Sequence, residues 1–317
     1  MTAFYPLLGK LSKNTMILFF CILILAIMLL YPQTALPLVR DSILIWYQSL
    51  LPTLFPAMIL SNIILYIFLS QKFKHYGPLI LMLGFLCGFP IGAYLCAKLV
   101  KEDALQPKEG QYLLGFCNNL SPVYLISVYC RLFPGLHPLL VLLLFYGCPL
   151  CYGAIRRLLS AWHPSGAFVQ SGQTITQNQT STLPGRSLPE MIDYAISDAI
   201  SSIVRLAGYV IFFRLFLLPL KLFDLPLQVS LFFGSLIEIT SGIFSYSRQT
   251  SLPDTYTILL QTLPLMTFGG ICCIGQTLCM IKGSGLSIMT YLYDKLLQSG
   301  ILAGTLLLLS HLLTKTP

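Results

Sequence analysis

"GFLCGFPIGA", residues Gly84 to Ala93, places three glycines and a proline inside a stretch apolar enough to lie in a membrane. Glycine costs a helix interior about 1 kcal/mol relative to alanine and proline about 3 kcal/mol, so the helix should break here. Irregular backbone at membrane depth is tolerated only where protein or a wet cavity satisfies the freed N–H and C=O groups. The break therefore marks protein interior. Pro90 removes a donor, while Gly88 and Gly92 permit close approach of a backbone or ligand. Close helix packing through small residues is the competing reading of the two glycines.

A second stretch answers the first. "GSLIEITSGI", Gly234 to Ile243, matches it at Gly84/Gly234, Leu86/Leu236 and Gly92/Gly242, 150 positions later. The same offset lays "LPTLFP" (Leu51 to Pro56, with Pro52 and Pro56) over Ser201 to Leu206. It also brings "GFCNNLSP" (Gly115 to Pro122) within two positions of "FGGICCIGQ" (Phe268 to Gln276, with Gly269 and Gly270).

Composition sets the class. Of 317 residues 56% are hydrophobic and 9% charged, with mean hydropathy +0.79. That is too little charge to cover a soluble surface, so the chain reads as an all-α polytopic membrane protein with the lipid bilayer as its main partner. The net charge of +8 reads as topology, with no nucleic acid implied, because the basic residues sit mostly between apolar runs. Eight of the ten cysteines lie inside those runs as small hydrophobes, and "CPLC" (Cys148, Cys151) has no second pair or histidine cluster beside it. No metal site is expected.

A first helix is expected over Thr15 to Tyr31, with further spans over 78–97, 111–131, 137–155, 226–246, 257–281 and 285–312. Two regions, 41–70 and 190–222, are too long for an untilted helix and are interrupted by "LPTLFP" and by "RLAGY" (Arg205 to Tyr209). Each is expected to be a re-entrant hairpin. Making 41–70 a hairpin gathers Lys98, Lys101, Lys108, Arg156, Arg157 and Arg186 on the cytoplasmic side with Lys10 and Lys13, although it leaves Lys72 and Lys74 outside. The expected plan is about seven transmembrane helices plus two re-entrant helical hairpins. It comprises an N-terminal helix in 1–40, a first repeat in 41–158, a polar linker in 159–186 and a second repeat in 187–317. Three crossings per half, an odd number, would make the halves an inverted repeat, a plan of secondary transporters whose solute site lies near the midplane.

The order of "LPTLFPAMILSNII", "GFPIGA", "FCNNLSP", "EITSG" and "FGG" followed by Gln276 resembles the YlbJ/SpoVV family of sporulation membrane proteins, grouped with the nucleoside-recognition (Gate) domain proteins. The resemblance covers about residues 41–310. It implies a multi-pass protein of the cell membrane, or of the outer forespore membrane, that moves dipicolinic acid during sporulation. It also implies a likeness to concentrative nucleoside transporters, which use inverted repeats with re-entrant hairpins. The short 159–186 linker leaves a neighbouring subfamily with another substrate open.

Individual polar residues complete the expectation. Glu238 stands near the middle of an apolar run, where a carboxylate is costly unless paired, hydrated or protonated, and is the leading site residue, with a structural carboxylate that caps a neighbouring helix as the competing reading. Arg205 offers a fork of donors suited to a dicarboxylate, with a salt bridge to Glu238 or snorkelling as the alternatives. Asn118, Asn119, Ser121, Thr240, Ser241 and Gln276 are neutral donors and acceptors able to orient a small anionic or nucleoside-like solute, although each alone could be a helix–helix hydrogen bond. Asp294 and Lys295 read as interfacial. No cofactor is expected beyond H+ or Na+ as a coupling ion, and oligomeric state is open. Non-transporting membrane scaffold in spore assembly is the rival function; enzyme motifs such as HExxH, Walker A and GxSxG do not occur.

Overall fold

A computed structural model describes residues 13–70, 76–162, 187–222, 227–248 and 253–313. Every regular element among them is helical. In chain order they are α1 (Lys13–Leu30), α2 (Pro32–Ser70), α3 (Gly77–Cys87), α4 (Ile91–Lys101), α5 (Pro107–Cys117), α6 (122–132) and α7 (Pro138–Trp162). The second half has α8 (Leu188–Leu215), α9 (Leu218–Leu222), α10 (Leu227–Ile237), α11 (Ile239–Ser247), α12 (Thr255–Phe268), α13 (Gly270–Ile281) and α14 (Ile288–Leu313). Most of the expected linker, residues 163–186, lies outside the described residues.

Neither 41–70 nor 190–222 is a hairpin. α2 runs 39 residues without reversal, through a π-turn at Trp46–Leu50, so the boundary expected at 40 falls inside it. Pro52 and Pro56 lack the N–H that an α-helix uses; the wider turn ends just ahead of Pro52, and the α-helix runs on through Pro56. The Thr53 hydroxyl donates to the Ser49 and Leu50 carbonyls at 2.7 and 3.2 Å. The Trp46 indole N–H donates to the Ile203 carbonyl at 3.0 Å, pinning the π-turn to α8. α8 opens on a capping box of Ser187 and Glu190 and continues through Gly208. One glycine costs about 1 kcal/mol, too little to reverse a helix packed along its length against α2.

The hairpins are the stretches expected to be spans. A Cβ added to Gly84 would lie 3.4 Å from the Gly92 Cα. Eight residues of continuous helix would separate these positions by about 12 Å, so α3 and α4 fold back on each other. Between them Gly88 takes φ 76° and ψ −162°, and the Phe89–Pro90 peptide is cis. In the second half a Cβ on Gly242 would meet the Ser235 Cα at 2.4 Å, so α10 and α11 also fold together, about a single extended residue, Glu238. Each arm has 9 to 11 residues. That is about 14–17 Å of helix, roughly half the hydrocarbon thickness. A tight reversal needs small residues where the arms touch. Gly84, Gly92, Ser235 and Gly242 supply them, whereas "LPTLFP" does not.

Among the described residues six helical stretches are long and apolar enough to cross a membrane: Pro32–Ser70, Pro107–Leu132, Pro138–Leu159, Leu188–Leu215, Thr255–Ile281 and Ile288–His311. Ile17–Leu30 is a shorter apolar helix. Each half thus presents a long helix, a hairpin, a broken span and a plain span, with the breaks at Gly88 and Glu238 standing 150 positions apart.

The broken spans pack on the hairpins. The turn between α5 and α6 lies against the first hairpin: a Cβ on Gly88 would be 2.5 Å from the Ser121 N, and one on Gly92 would be 3.0 Å from the Asn118 Cα. The break between α12 and α13 lies against the second. There Gly269 and Gly270 take φ 85° and 78°, and a Cβ on Gly270 would stand 3.1 Å from the Leu236 and Ser235 carbonyl oxygens. α13 also packs on α4, which joins the two halves.

Candidate functional site: a cavity between the hairpin tips

The two hairpin tips and the break between α5 and α6 meet at a cavity of about 70 Å3. Phe89 comes from the first tip, Glu238, Ile239 and Thr240 from the second, Leu120, Ser121 and Tyr124 from the break and the start of α6, and Cys273 and Gln276 from α13. Ser49 and Thr53, at the π-turn of α2, and Leu206 and Val210, on α8, line the rest. The irregular backbone expected to be satisfied by protein is satisfied here: the Phe89 N–H donates to the Asn119 carbonyl at 2.7 Å, and the Ser121 hydroxyl caps α6 by accepting from the Tyr124 N–H at 3.2 Å.

Glu238 is 3% exposed. One carboxylate oxygen accepts from the Thr240 N–H at 3.0 Å and from the Thr240 hydroxyl; the other accepts from the Ser241 N–H at 2.7 Å and from the Ser241 hydroxyl. The side chain therefore caps α11, placing a negative group at the positive end of that helix. Among the described residues it forms no salt bridge. Arg214, buried in α8, lies within its electrostatic reach.

Of the residues singled out in the sequence, Ser121, Glu238, Thr240 and Gln276 line the cavity, and Ser241 joins them through Glu238. Gln276 donates to the Cys272 thiol at 3.2 Å. Asn118 and Asn119 are buried beside the cavity in a polar lattice. Asn118 donates to the Thr277 and Tyr291 hydroxyls at 3.0 and 3.2 Å and accepts from the Ala93 N–H at 3.2 Å. Asn119 donates to the Phe116 carbonyl and accepts from Lys295, both at 2.6 Å. Arg205 is exposed on α8, on a different face from the cavity-lining Leu206 and Val210, and donates to the Ser201 hydroxyl at 3.0 Å. It does not pair with Glu238.

Asp294 and Lys295, expected at an interface, are 2% and 0% exposed. Asp294 accepts from the Tyr152 hydroxyl at 2.6 Å and from Arg156 at 2.8 Å, which requires the side-chain-free surface of Gly115. The rule that singled out Glu238, an ionisable residue inside an apolar helix, applies equally to Lys295. Their position near the end of an apolar run concealed them. The Tyr124 hydroxyl was also missed: it is buried at the cavity without a hydrogen-bond partner among the described residues. A phenol at helical spacing in an apolar run carries no signal that distinguishes it from core. Away from the cavity, Lys98 on α4 donates to Asp198 at 3.0 Å and to the Tyr66 and Tyr94 hydroxyls at 2.7 and 2.6 Å. This cluster ties the second arm of the first hairpin to α2 and α8.

The fold and its cavity define a multi-pass, all-α integral membrane protein with two short helical hairpins whose tips meet at the cavity. The sporulation integral membrane protein YlbJ of Bacillus subtilis (strain 168) is 22% identical over 356 aligned positions, which cover 95% of this chain and 84% of that protein. The chain is accordingly YlbJ-like, as its motifs indicated. No family model matches the chain, and no solved structure matches it.

Proposed function

We propose that this protein is a secondary transporter of the sporulating cell, built from two inverted halves, that carries a small polar metabolite past Glu238 by alternating access. The observation that carries this reading is the convergence of both hairpin tips and the α5–α6 break on one cavity with a single carboxylate. Re-entrant segments and discontinuous helices meeting near a midplane are the means by which transporters place solute sites. Three long apolar stretches per half among the described residues support this reading, because an odd number of crossings would orient the halves oppositely.

The charges favour the same arrangement. With 77–101 as the re-entrant hairpin, Lys101, Lys108, Arg156, Arg157 and Lys282 fall on one side, while Lys72, Lys74 and Arg186 lie outside the described residues. Lys13, at the start of α1, joins them when α1 is counted as a crossing.

Dipicolinic acid is the first solute to consider, from the resemblance to sporulation proteins. An anionic solute beside Glu238 calls for a coupling cation, H+ or Na+, to balance the charge. Nucleoside-like solutes are the second reading, favoured by a lining of hydroxyls, Gln276 and one carboxylate, with no lysine or arginine among the lining residues. Either solute needs a wider cavity than about 70 Å3, since small-molecule sites usually enclose some hundreds of Å3.

Proteoliposomes given labelled dipicolinate or uridine under an imposed pH gradient test the proposal. Gradient-driven uptake of one solute is expected, lost in Glu238→Gln and retained in Arg205→Gln. Uptake of both solutes no faster than in protein-free vesicles would refute it.

A further inference from the structure

Lys295 is buried to 0% exposure in α14. Its Nζ donates to the Asn119 Oδ1 at 2.6 Å and stands 5.7 Å from the centre of the Phe89 ring and 5.8 Å from that of Tyr291. An ammonium carries three N–H donors. Among the described residues Lys295 forms no ion pair, and its neighbour Asp294 is engaged by Arg156 and Tyr152. A buried cation with no ion pair is strongly disfavoured, so folding alone gives no reason for lysine at this position. Two aromatic rings and one amide oxygen offset only part of that cost.

The surroundings of Lys295 give it a use. Phe89, whose ring faces the ammonium, is also a cavity wall and sits at the tip of the first hairpin. Cys273, another wall, lies in the electrostatic field of both Lys295 and Glu238. Asn119, which holds the ammonium, belongs to the same break as the cavity-lining Ser121. The cation therefore stands directly behind the cavity, screened by an aromatic side chain on the element whose arms are too short to span the membrane. The cavity must in any case widen to admit a metabolite, and displacing the first tip would widen it at Phe89.

We infer that Lys295 is a concealed anion-binding residue, exposed to the cavity when the tip of the first hairpin withdraws Phe89, and that it takes a carboxylate of the solute on its two free N–H donors. This inference rests on the solute-carrying reading above and narrows the substrate to a small carboxylate. It places the positive charge that a dicarboxylate needs on α14, and not at Arg205.

The test uses the full chain in lipid nanodiscs, with labelled pyridine-2,6-dicarboxylate and labelled uridine as probes. Lys295→Met is expected to weaken dicarboxylate binding about tenfold or more, the equivalent of one charge-assisted hydrogen bond, while Lys295→Arg largely preserves it. A second readout does not depend on that variant folding: modification of Lys295 by pyridoxal phosphate and borohydride, followed by mass spectrometry. Phe89→Ala should accelerate modification and saturating dicarboxylate should suppress it. The inference is overturned if monodisperse Lys295→Met binds the dicarboxylate as the wild type does, if the dicarboxylate leaves Lys295 labelling unchanged, or if the wild type binds uridine alone. Wild-type protein that binds neither probe overturns the solute-carrying reading together with this one.

Discussion

Replacing Gly88 by alanine tests whether the first hairpin is built as described. At φ 76° and ψ −162° a side chain is almost never found, and holding one there costs about 1–3 kcal/mol. The added Cβ would also stand 2.5 Å from the Ser121 N and 2.8 Å from the Ser121 Cα, both backbone atoms that cannot rotate away. Overpacking of this kind costs about 1–3 kcal/mol more. The total, about 2–6 kcal/mol, is a large share of the stability of a typical domain. Gly208 is the control: it lies inside α8, no atom comes within 4 Å of a Cβ built there, and alanine should gain about 0.5–1 kcal/mol in helix entropy. Thermal unfolding of the purified proteins in detergent should therefore rank Gly208→Ala at or above wild type and Gly88→Ala several degrees below. If Gly88→Ala melts with the wild type, the hairpin tip does not sit against Ser121 and the cavity built on that contact is wrong.

Asp198→Asn removes the carboxylate that Lys98 meets at 3.0 Å, where the side chains are 14% and 29% exposed. A loss of about 1–3 kcal/mol is expected, with faster hydrogen exchange confined to α4, and a double-mutant cycle with Lys98→Met should show the two effects to be coupled. Asp254 caps α12, and hydrogen bonds led by that from the Thr257 hydroxyl hold its carboxyl below the usual range. Its stabilising contribution is therefore present above the ordinary aspartate pKa of about 3.9 and fades as pH falls through the lowered folded value. The melting temperatures of wild type and Asp254→Ala should differ at neutral pH and converge in strong acid; a difference independent of pH would show that the carboxylate is not the capping group.

The amino-acid sequence determined the class of this protein, because so little charge leaves only lipid as a surrounding for so much apolar surface. It also marked where helices stop. Gly88 to Pro90, Asn118 to Ser121, Glu238 and Gly269 are local events of missing donors, missing Cβ atoms and competing side chains, so they are visible residue by residue, and the 150-position offset follows from them. Glu238 was legible for the same reason, being an acid in an apolar run. Which interrupted stretches turn back was decided only in three dimensions. A break becomes a hairpin when small residues on its two arms can touch, as Gly84 and Gly92 do, and stays a through-going helix when a neighbour supports it on both sides of the fault, as α8 supports the π-turn of α2. The site was divided in the same way. Asn119 and Lys295 are 176 positions apart, and Arg205 lies one residue from cavity-lining Leu206 yet on another face of α8. Packing brought the first pair together and parted the second, since the direction in which a helix presents a side chain is fixed by what the rest of that helix buries.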